Sequence, residues 1–306
     1  MSRDSFPRDP RQSHESFDQT QSVRNEPRRA QPSRERETPS ESPLNPHVDR
    51  YLRPEDEDRR RAYSIGRRTY LLRESEVQTM SDLGTFRVVA ADHLRQFAYA
   101  GDGARMEREL RHLQKQGLII ERTLPTSSRN SLRVVGLTKA GKKLLRATDR
   151  FPENQALYHG IVKPREAKHD AELYRLFYAE AARIESAGGR PLRVILDYEF
   201  KRQVNREREH LGERRNDPHE IATIAARHGL AVVNGKIPLP DLRIEYQTAD
   251  LELRRIDLEL ATRHYRPRGV AEKAKAGFAL YSPREDAPRL RRILDEQELT
   301  ARIFAL

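Results

Sequence analysis

The residues best suited to chemistry are three acids in the stretch KIPLPDLRIEYQTADLELRRIDLELATRHY, residues 236–265. Apolar residues alternate with polar ones in DLRIEYQ and again in RRIDLELATR, which predicts two β-strands. If these strands pair antiparallel, Asp241, Asp257 and Glu259 share one face of the sheet. Convergent carboxylates bind Mg²⁺, which activates water and stabilises charge on a phosphate. The pattern therefore indicates either a magnesium site or the solvent-exposed face of a hairpin.

Composition limits the classes of protein to consider. The chain has 306 residues and no cysteine, which excludes disulfides and thiolate metal sites and fits a reducing cytoplasm. No apolar run approaches the length of a membrane span, and the N-terminus has no apolar segment typical of a signal peptide. We therefore expect a cytoplasmic protein without a membrane partner.

The net charge of +11 is unevenly distributed along the chain. Residues 1–62 are neutral, with 13 basic and 13 acidic residues, whereas residues 63–150 carry 17 basic and 9 acidic residues. Basic side chains that neutralise phosphates release condensed counterions. A short segment with most of the excess charge is typical of a polyanion-binding module, although a basic solvent-exposed surface has the same composition.

Residues 1–62 are predicted to be a disordered tail. The segment is rich in Pro, Ser, Arg and Glu and has few apolar residues to offset the entropy cost of ordering. Its balanced charge argues against a basic DNA-binding arm and favours a flexible segment that contacts partner proteins.

Residues 63–150 show the order of elements expected of a winged helix-turn-helix domain. Helical spacing predicts a first helix over 67–83 and a second over 91–99. The third helix is expected between an Asp102 N-cap and a Gly117 stop. Two short strands, LIIERTL and LRVVGL, and a basic helix in LTKAGKKLLRATD complete the segment.

The third predicted helix has an apolar face and a cationic face. Met106, Leu110 and Leu113 project together on a helical wheel. The segment resembles winged-helix DNA-binding domains in its element order and in the sequences LQKQGLI and GLTKAGKKLL. In such domains the third helix enters the major groove and the wing contacts DNA nearby. The resemblance implies DNA contacts from the helix and the wing loop, at Arg105, Arg108, Arg111, Lys115 and Arg129.

Residues 151–306 are predicted to form a second domain. A helix of about twenty residues is expected before Gly188 and Gly189, followed by a strand in RPLRVILDYEFKRQ, a charged insert and a helix that ends near His228. Asn234-Gly235 predicts a hairpin turn. The sequence HEIATIAARH lacks the second histidine of a zinc-protease helix, because Thr223 lies four residues after His219.

The order of elements in this domain resembles the PD-(D/E)xK nuclease fold. Together with the winged helix, LPDLRIEY and DLELATRHYRPRGVAEKAKAGFALY resemble the replication-relaxation proteins of bacterial plasmids and mobile elements, over about residues 67–283. The resemblance implies an α+β protein with a mixed sheet and a role in plasmid replication or DNA relaxation. It also implies that Asp241 and Glu259 are Mg²⁺ ligands and that Asp257 assists them.

The nuclease pattern expects a lysine two residues after Glu259, where this chain has Ala261. Such a lysine stabilises charge on the phosphate or orients the attacking water. Lys275, Lys273 and Arg263 are the candidate replacements, and Lys275 is taken as the catalytic one. His169 and His264 are expected to be structural or exposed.

Three functions remain open. The first is a DNA-binding protein of the replication-relaxation type. The second is an active Mg²⁺-dependent DNA nicking endonuclease. The third is a winged-helix transcriptional regulator whose second domain is non-catalytic. The expected partner is double-stranded DNA, with other replication or mobilisation proteins as partners of the tail and a homodimer as one option for assembly.

Overall fold

The computed structural model describes residues 59–125, 131–148, 150–161, 164–262 and 265–306. The predicted tail lies almost entirely outside this part of the chain, as does Arg129 in the wing loop. The domain boundaries at residues 62 and 150 stay predictions.

The described chain begins with a β-hairpin, where strand β1 (Arg61–Ile65) pairs antiparallel with β2 (Arg68–Leu72). Tyr70 and Leu72 are buried, whereas Leu71 between them is exposed. This alternation has the period of a strand, so the prediction of a helix from Arg67 is wrong over its first residues. Helix α1 begins at Glu74 and ends at Phe86.

Two further helices form the helix-turn-helix. Helix α2 spans Ala91–Phe97 and α3 spans Gly103–Lys115. The Asp102 side chain accepts a hydrogen bond from the backbone N–H of Arg105, and Gly117 adopts a φ of 72° after the last turn. Both predicted ends of α3 are therefore confirmed.

A three-stranded sheet and a fourth helix complete this region. The short β3 (Val89–Ala90) and β4 (Ile119–Pro125) each pair antiparallel with β5 (Ser131–Leu137), which gives the strand order β3-β5-β4. Helix α4 (Lys139–Arg146) starts at Thr138, whose hydroxyl accepts a hydrogen bond from the backbone N–H of Gly141. The predicted wing strands and closing helix are confirmed.

The rest of the chain is built on a mixed five-stranded sheet in the order β10-β9-β8-β7-β6. Strands β6, β7 and β8 pair antiparallel, whereas β9 is parallel to β8 and β10 is parallel to β9. The predicted α+β fold with a mixed sheet is confirmed. The strands are β6 (Arg190–Leu196), β7 (Leu242–Gln247), β8 (Leu253–Leu260), β9 (Ala279–Ser282) and β10 (Ile303–Ala305).

Three helices accompany this sheet. Helix α5 (Pro164–Ser186) precedes β6, and α8 (Pro267–Lys275) connects β8 to β9. Helix α9 (Ala287–Glu296) lies between β9 and β10. The segment from α5 to β9 therefore has the order helix, three antiparallel strands, helix and parallel strand, with one insertion between β6 and β7.

The insertion is more helical than the sequence suggested. Strand β6 stops at Leu196, and Asp197–His210 forms helix α6 because Phe200 and Val204 are buried four residues apart. A short 3₁₀ helix (Gly212–Asn216) and α7 (Pro218–Arg227) follow. Asn234 and Gly235 adopt positive φ angles in a turn closed by a single bridge from Val233 to Lys236, so the turn is confirmed without long flanking strands.

The main hydrophobic core extends across both predicted domains. Leu83 and Phe86 of α1 belong to the same buried cluster as Tyr174 and Phe177 of α5 and Leu258 of β8. All described residues belong to one compact unit. Within the described part of the chain, no helix combines the length and apolar composition needed to cross a bilayer.

Candidate functional site

Strand pairing brings Asp241 and Glu259 together at one end of the mixed sheet. The register pairs Leu242 with Leu258, so Asp241, immediately before β7, lies beside Glu259 of β8. The backbone N–H of Asp241 donates to Glu259 Oε2 over 3.3 Å, and the N–H of Leu260 donates to Asp241 Oδ2 over 2.9 Å. Glu259 is fully buried and Asp241 is 8% exposed. The two acids form a buried carboxylate pair rather than a solvent-exposed surface.

A lysine reaches this pair from helix α8. Lys273 Nζ donates to Glu259 Oε2 over 2.8 Å and to the backbone oxygen of Leu239 over 2.6 Å. Lys275 lies two residues further, about 200° around the helix, where it is exposed beside Asn234 and Glu272. The cation at Glu259 is therefore Lys273, which the sequence offered only as one of several replacements for the lysine missing at Ala261.

A histidine from α5 and a tyrosine from the loop before α8 complete the surroundings of the pair. Tyr265 donates its hydroxyl to Glu259 Oε1 over 2.5 Å. His169 Nε2 lies 3.4 Å from Asp241 Oδ2, and His169 Nδ1 lies 3.8 Å from Asp170 Oδ1. No spacing in the sequence indicates this role of His169, because Asp241 precedes a strand that is distant along the chain.

Burial and charge shift the pKa values of these groups. Burial, and then the charge of Asp241, raise the pKa of Glu259 above its usual range, although Lys273 and Tyr265 lower it in part. For His169 burial lowers the pKa, but Asp170 and Asp241 outweigh it and raise the pKa to about 10. His169 is therefore a cation at neutral pH.

Asp257 does not join the carboxylate pair. Its carboxylate accepts two hydrogen bonds from Arg243, at 2.6 and 2.8 Å. Arg243 also donates to the backbone oxygens of His228 and Gly229, so this ion pair ties β7 and β8 to the end of α7. Arg263 and His264 lie outside the described residues.

The carboxylate pair offers oxygen ligands of the kind that Mg²⁺ takes in proteins, but both Glu259 oxygens already accept hydrogen bonds. Asp241 and Glu259 offer carboxylate oxygens, but the described residues include no group of three or more His, Asp or Glu side chains placed to hold a metal. Mg²⁺ usually keeps several waters and binds one or two carboxylates together with substrate phosphates. Two carboxylates beside a lysine fit that kind of site.

The second candidate surface is the cationic face of α3. Arg108, Arg111 and Lys115 are exposed. Arg105 lies against the protein instead, because its Nε donates to the buried carboxylate of Glu109 over 3.2 Å and its side chain is only 13% exposed. The exposed face therefore holds three of the four predicted helix cations.

Polar contacts fix the orientation of α3 against its neighbours. Glu109 accepts hydrogen bonds from the hydroxyls of Ser75 and Tyr99, both at 2.9 Å. On the wing side, Arg133 of β5 forms ion pairs with Glu107 of α3 and Glu121 of β4. The helix and the wing strands are therefore linked by charged contacts near the exposed face.

Comparison with known proteins adds little to these assignments. No protein-family profile matches the sequence, and no curated protein matches it. A mutant of MepR from a multidrug-resistant S. aureus clinical isolate is 17% identical, with 36% of this chain and 80% of that chain covered and a TM-score of 0.23. Bacillus subtilis PadR in complex with operator DNA is also 17% identical, with 49% and 77% covered and a TM-score of 0.20. Scores this low give neither likeness any weight in assigning a function.

Proposed function

We propose that this protein binds double-stranded DNA through the exposed face of α3 and acts in the replication or relaxation of plasmid or mobile-element DNA. The observation that carries the proposal is the row of exposed cations Arg108, Arg111 and Lys115 on the third helix of a helix-turn-helix with a wing. In this architecture the third helix faces the major groove. The surrounding segment also holds most of the excess positive charge of the chain.

The test measures binding of the full-length protein to a fluorescent duplex over a range of salt concentrations. Replacement of Arg108 and Arg111 by Ala removes two cations from the proposed DNA face. We expect weaker binding and a salt slope lower by about one unit for each lost phosphate contact. The matched control replaces Arg291 and Arg292, two exposed arginines of α9, by Ala. Equal salt slopes for the two double variants would contradict the proposal.

A second function, Mg²⁺-dependent nicking of DNA, is favoured by the contact between Lys273 and Glu259. Asp241 and Glu259 would hold the ion, which when bound would activate water and stabilise charge on the phosphate. Lys273 then places a cation beside the carboxylates in the role that the nuclease pattern gives to a lysine on the strand. The missing lysine at Ala261 therefore does not exclude this activity.

The nicking activity is tested on supercoiled plasmid with Mg²⁺ or Mn²⁺. We expect wild-type protein to relax the plasmid, and Asp241→Asn, Glu259→Gln and Lys273→Ala to abolish relaxation while DNA binding persists. Glu252→Gln, which changes an exposed acid next to the far end of β8, is the control and should retain activity. A wild-type protein that leaves plasmid supercoiled with both metals would eliminate the nuclease.

A transcriptional regulator with a non-catalytic second domain would behave differently. It would bind one duplex sequence tightly, and the carboxylate variants would leave that binding unchanged. Assembly as a homodimer stays a prediction, which the mass of the protein in solution tests. Binding of partner proteins by the N-terminal segment also stays a prediction, which the mass of the resulting complexes tests.

A further inference from the structure

Basic side chains also lie close together on α4 and α6. Helix α4 has the sequence KAGKKLLR, with four cations and no acid in eight residues. Arg146 of α4 and Arg202 of α6 are exposed, and Lys142 of α4 is half-buried. We call Lys142, Arg146 and Arg202 the basic track.

The segment between residues 150 and 161 brings α4 and α6 close together. Arg146 Nη2 donates to the backbone oxygen of Gln155 over 2.6 Å. The Gln155 side-chain amide pairs with the backbone of Val194 in β6, at 3.0 and 3.1 Å. Because β6 runs directly into α6, these contacts hold α4 beside the first turns of α6, which carry Arg202.

Electrostatic crowding in the basic track agrees with this placement. Burial lowers the pKa of Lys142, and the like charges of Arg146 and Arg202 lower it further. The two acids of the first turn of α6 already have partners, because Glu199 pairs with Arg193 and Asp197 pairs with Lys201. Arg146 and Arg202 both repel the Lys142 ammonium, and an anion bound beside these cations would relieve that repulsion.

A chain of contacts connects Arg87, Asp170 and His169 to the carboxylate pair. The guanidinium of Arg87 lies 3.9 Å from the ring centroid of Tyr198 and 3.5 Å from the Asp170 carboxylate. The ring of Tyr158 contacts that of Tyr198, and the charges of both Arg202 and Arg87 act on Tyr158. Asp170 in turn contacts His169, which lies beside Asp241.

We propose that Lys142, Arg146 and Arg202 bind the phosphate backbone of the same DNA that contacts α3, and so lead it to the Asp241–Glu259 pair. This inference rests on the proposed DNA binding. Phosphates spaced regularly along a duplex match a row of cations, and the nearby acids Glu199 and Asp197 already pair with Arg193 and Lys201. The partner is a DNA backbone rather than an acidic protein, because the row starts in the helix that follows the wing, within the segment that holds most of the excess positive charge of the chain.

The experiment compares Arg202→Ala with wild-type protein on two duplexes. One duplex has about one helical turn, which is enough to occupy α3, and the other has about three turns. With the long duplex we expect Arg202→Ala to lower the salt slope by about one unit, and Arg146→Ala/Arg202→Ala by about two. With the short duplex neither variant should change binding. Arg202→Lys keeps the charge and should restore the wild-type slope.

The outcomes separate this inference from the proposed function. Loss of binding in Arg108→Ala/Arg111→Ala with unchanged slopes in the track variants would overturn the basic track and leave DNA binding intact. Failure of the wild type to bind either duplex would overturn both. Equal losses in Arg146→Ala/Arg202→Ala and in the control Arg291→Ala/Arg292→Ala would show a general effect of net charge and would also overturn the track. Circular dichroism and thermal unfolding check that each surface variant is folded.

Discussion

The cationic face of α3 and the carboxylate pair of the mixed sheet carry their charges in opposite ways. On α3, the side chains of Arg108 and Arg111 are exposed to solvent, where a charge costs little free energy and a phosphate can approach it. At the sheet, Glu259 is fully buried and contacts Lys273 and Tyr265, and burial together with the charge of Asp241 raises its pKa above its usual range. A surface for binding can therefore be changed with little effect on the fold, whereas changes at the carboxylate pair also change the stability of the fold.

The largest expected effect comes from removing the cation at the buried carboxylate. Lys273→Ala leaves Glu259 buried without its ammonium partner, which should lower the free energy of unfolding by about 3 to 5 kcal/mol. Urea denaturation measures this loss. The double variant Glu259→Gln/Lys273→Met removes both charges and should recover much of the stability. A loss below about 1 kcal/mol in the single variant is the range of exposed ion pairs. Such a loss would mean that the charges at the carboxylate pair contribute no more to stability than those on α3.

The two faces of α3 provide the next test. Leu110 is fully buried, so Leu110→Ala should lower the free energy of unfolding by about 2 to 5 kcal/mol. Arg108→Ala, two residues away on the exposed face, should change it by no more than about 0.5 kcal/mol while weakening DNA binding. Denaturation and duplex titration of the same two proteins check both statements. A large loss of stability in Arg108→Ala would contradict the division of the helix into a core face and a DNA face.

The smallest expected effect is a pH dependence that arises from His169. Because the folded protein raises the pKa of His169 from 6.5 to about 10, the charged ring stabilises the fold fully below pH 6.5, and this contribution is lost as the pH rises through 10. The effect is modest, since the side chain is 38% exposed and solvent screens its ion pairs. His169→Asn should flatten the change in unfolding free energy between pH 6.5 and 10, measured by urea denaturation. Parallel curves for variant and wild type would exclude a charged His169.

The sequence predicted the local elements well where a cap or a period was distinct. Asp102 and Gly117 bound α3, and Thr138 starts α4, because capping acts within one turn of the helix. The prediction of a helix failed at residues 68–72, because the apolar residues of RTYLL satisfy both a helical and an alternating pattern. It failed again at α6, because most of its residues are charged and only two apolar residues, Phe200 and Val204, face the core.

The candidate site was predictable only in part. Asp241 and Glu259 share a face because the strand period alone puts them there, once the two strands pair. The choice of Lys273 over Lys275 depends on how α8 is rotated against the sheet, which its sequence does not specify. His169, Asp170 and Arg87 come from elements distant along the chain from the acids they approach, and no spacing rule connects them.

Composition and local periodicity are enough to show where the positive charge is concentrated, which face of α3 is apolar, and which strand residues point the same way. These properties depend on composition and on periods of about 3.6 and 2, which are local. Only the tertiary structure decided that Arg105 turns inward to Glu109, that Asp257 is held by Arg243, and that Lys273 and His169 meet the carboxylate pair. Those contacts join elements distant in sequence, so they exist only when the whole core has packed.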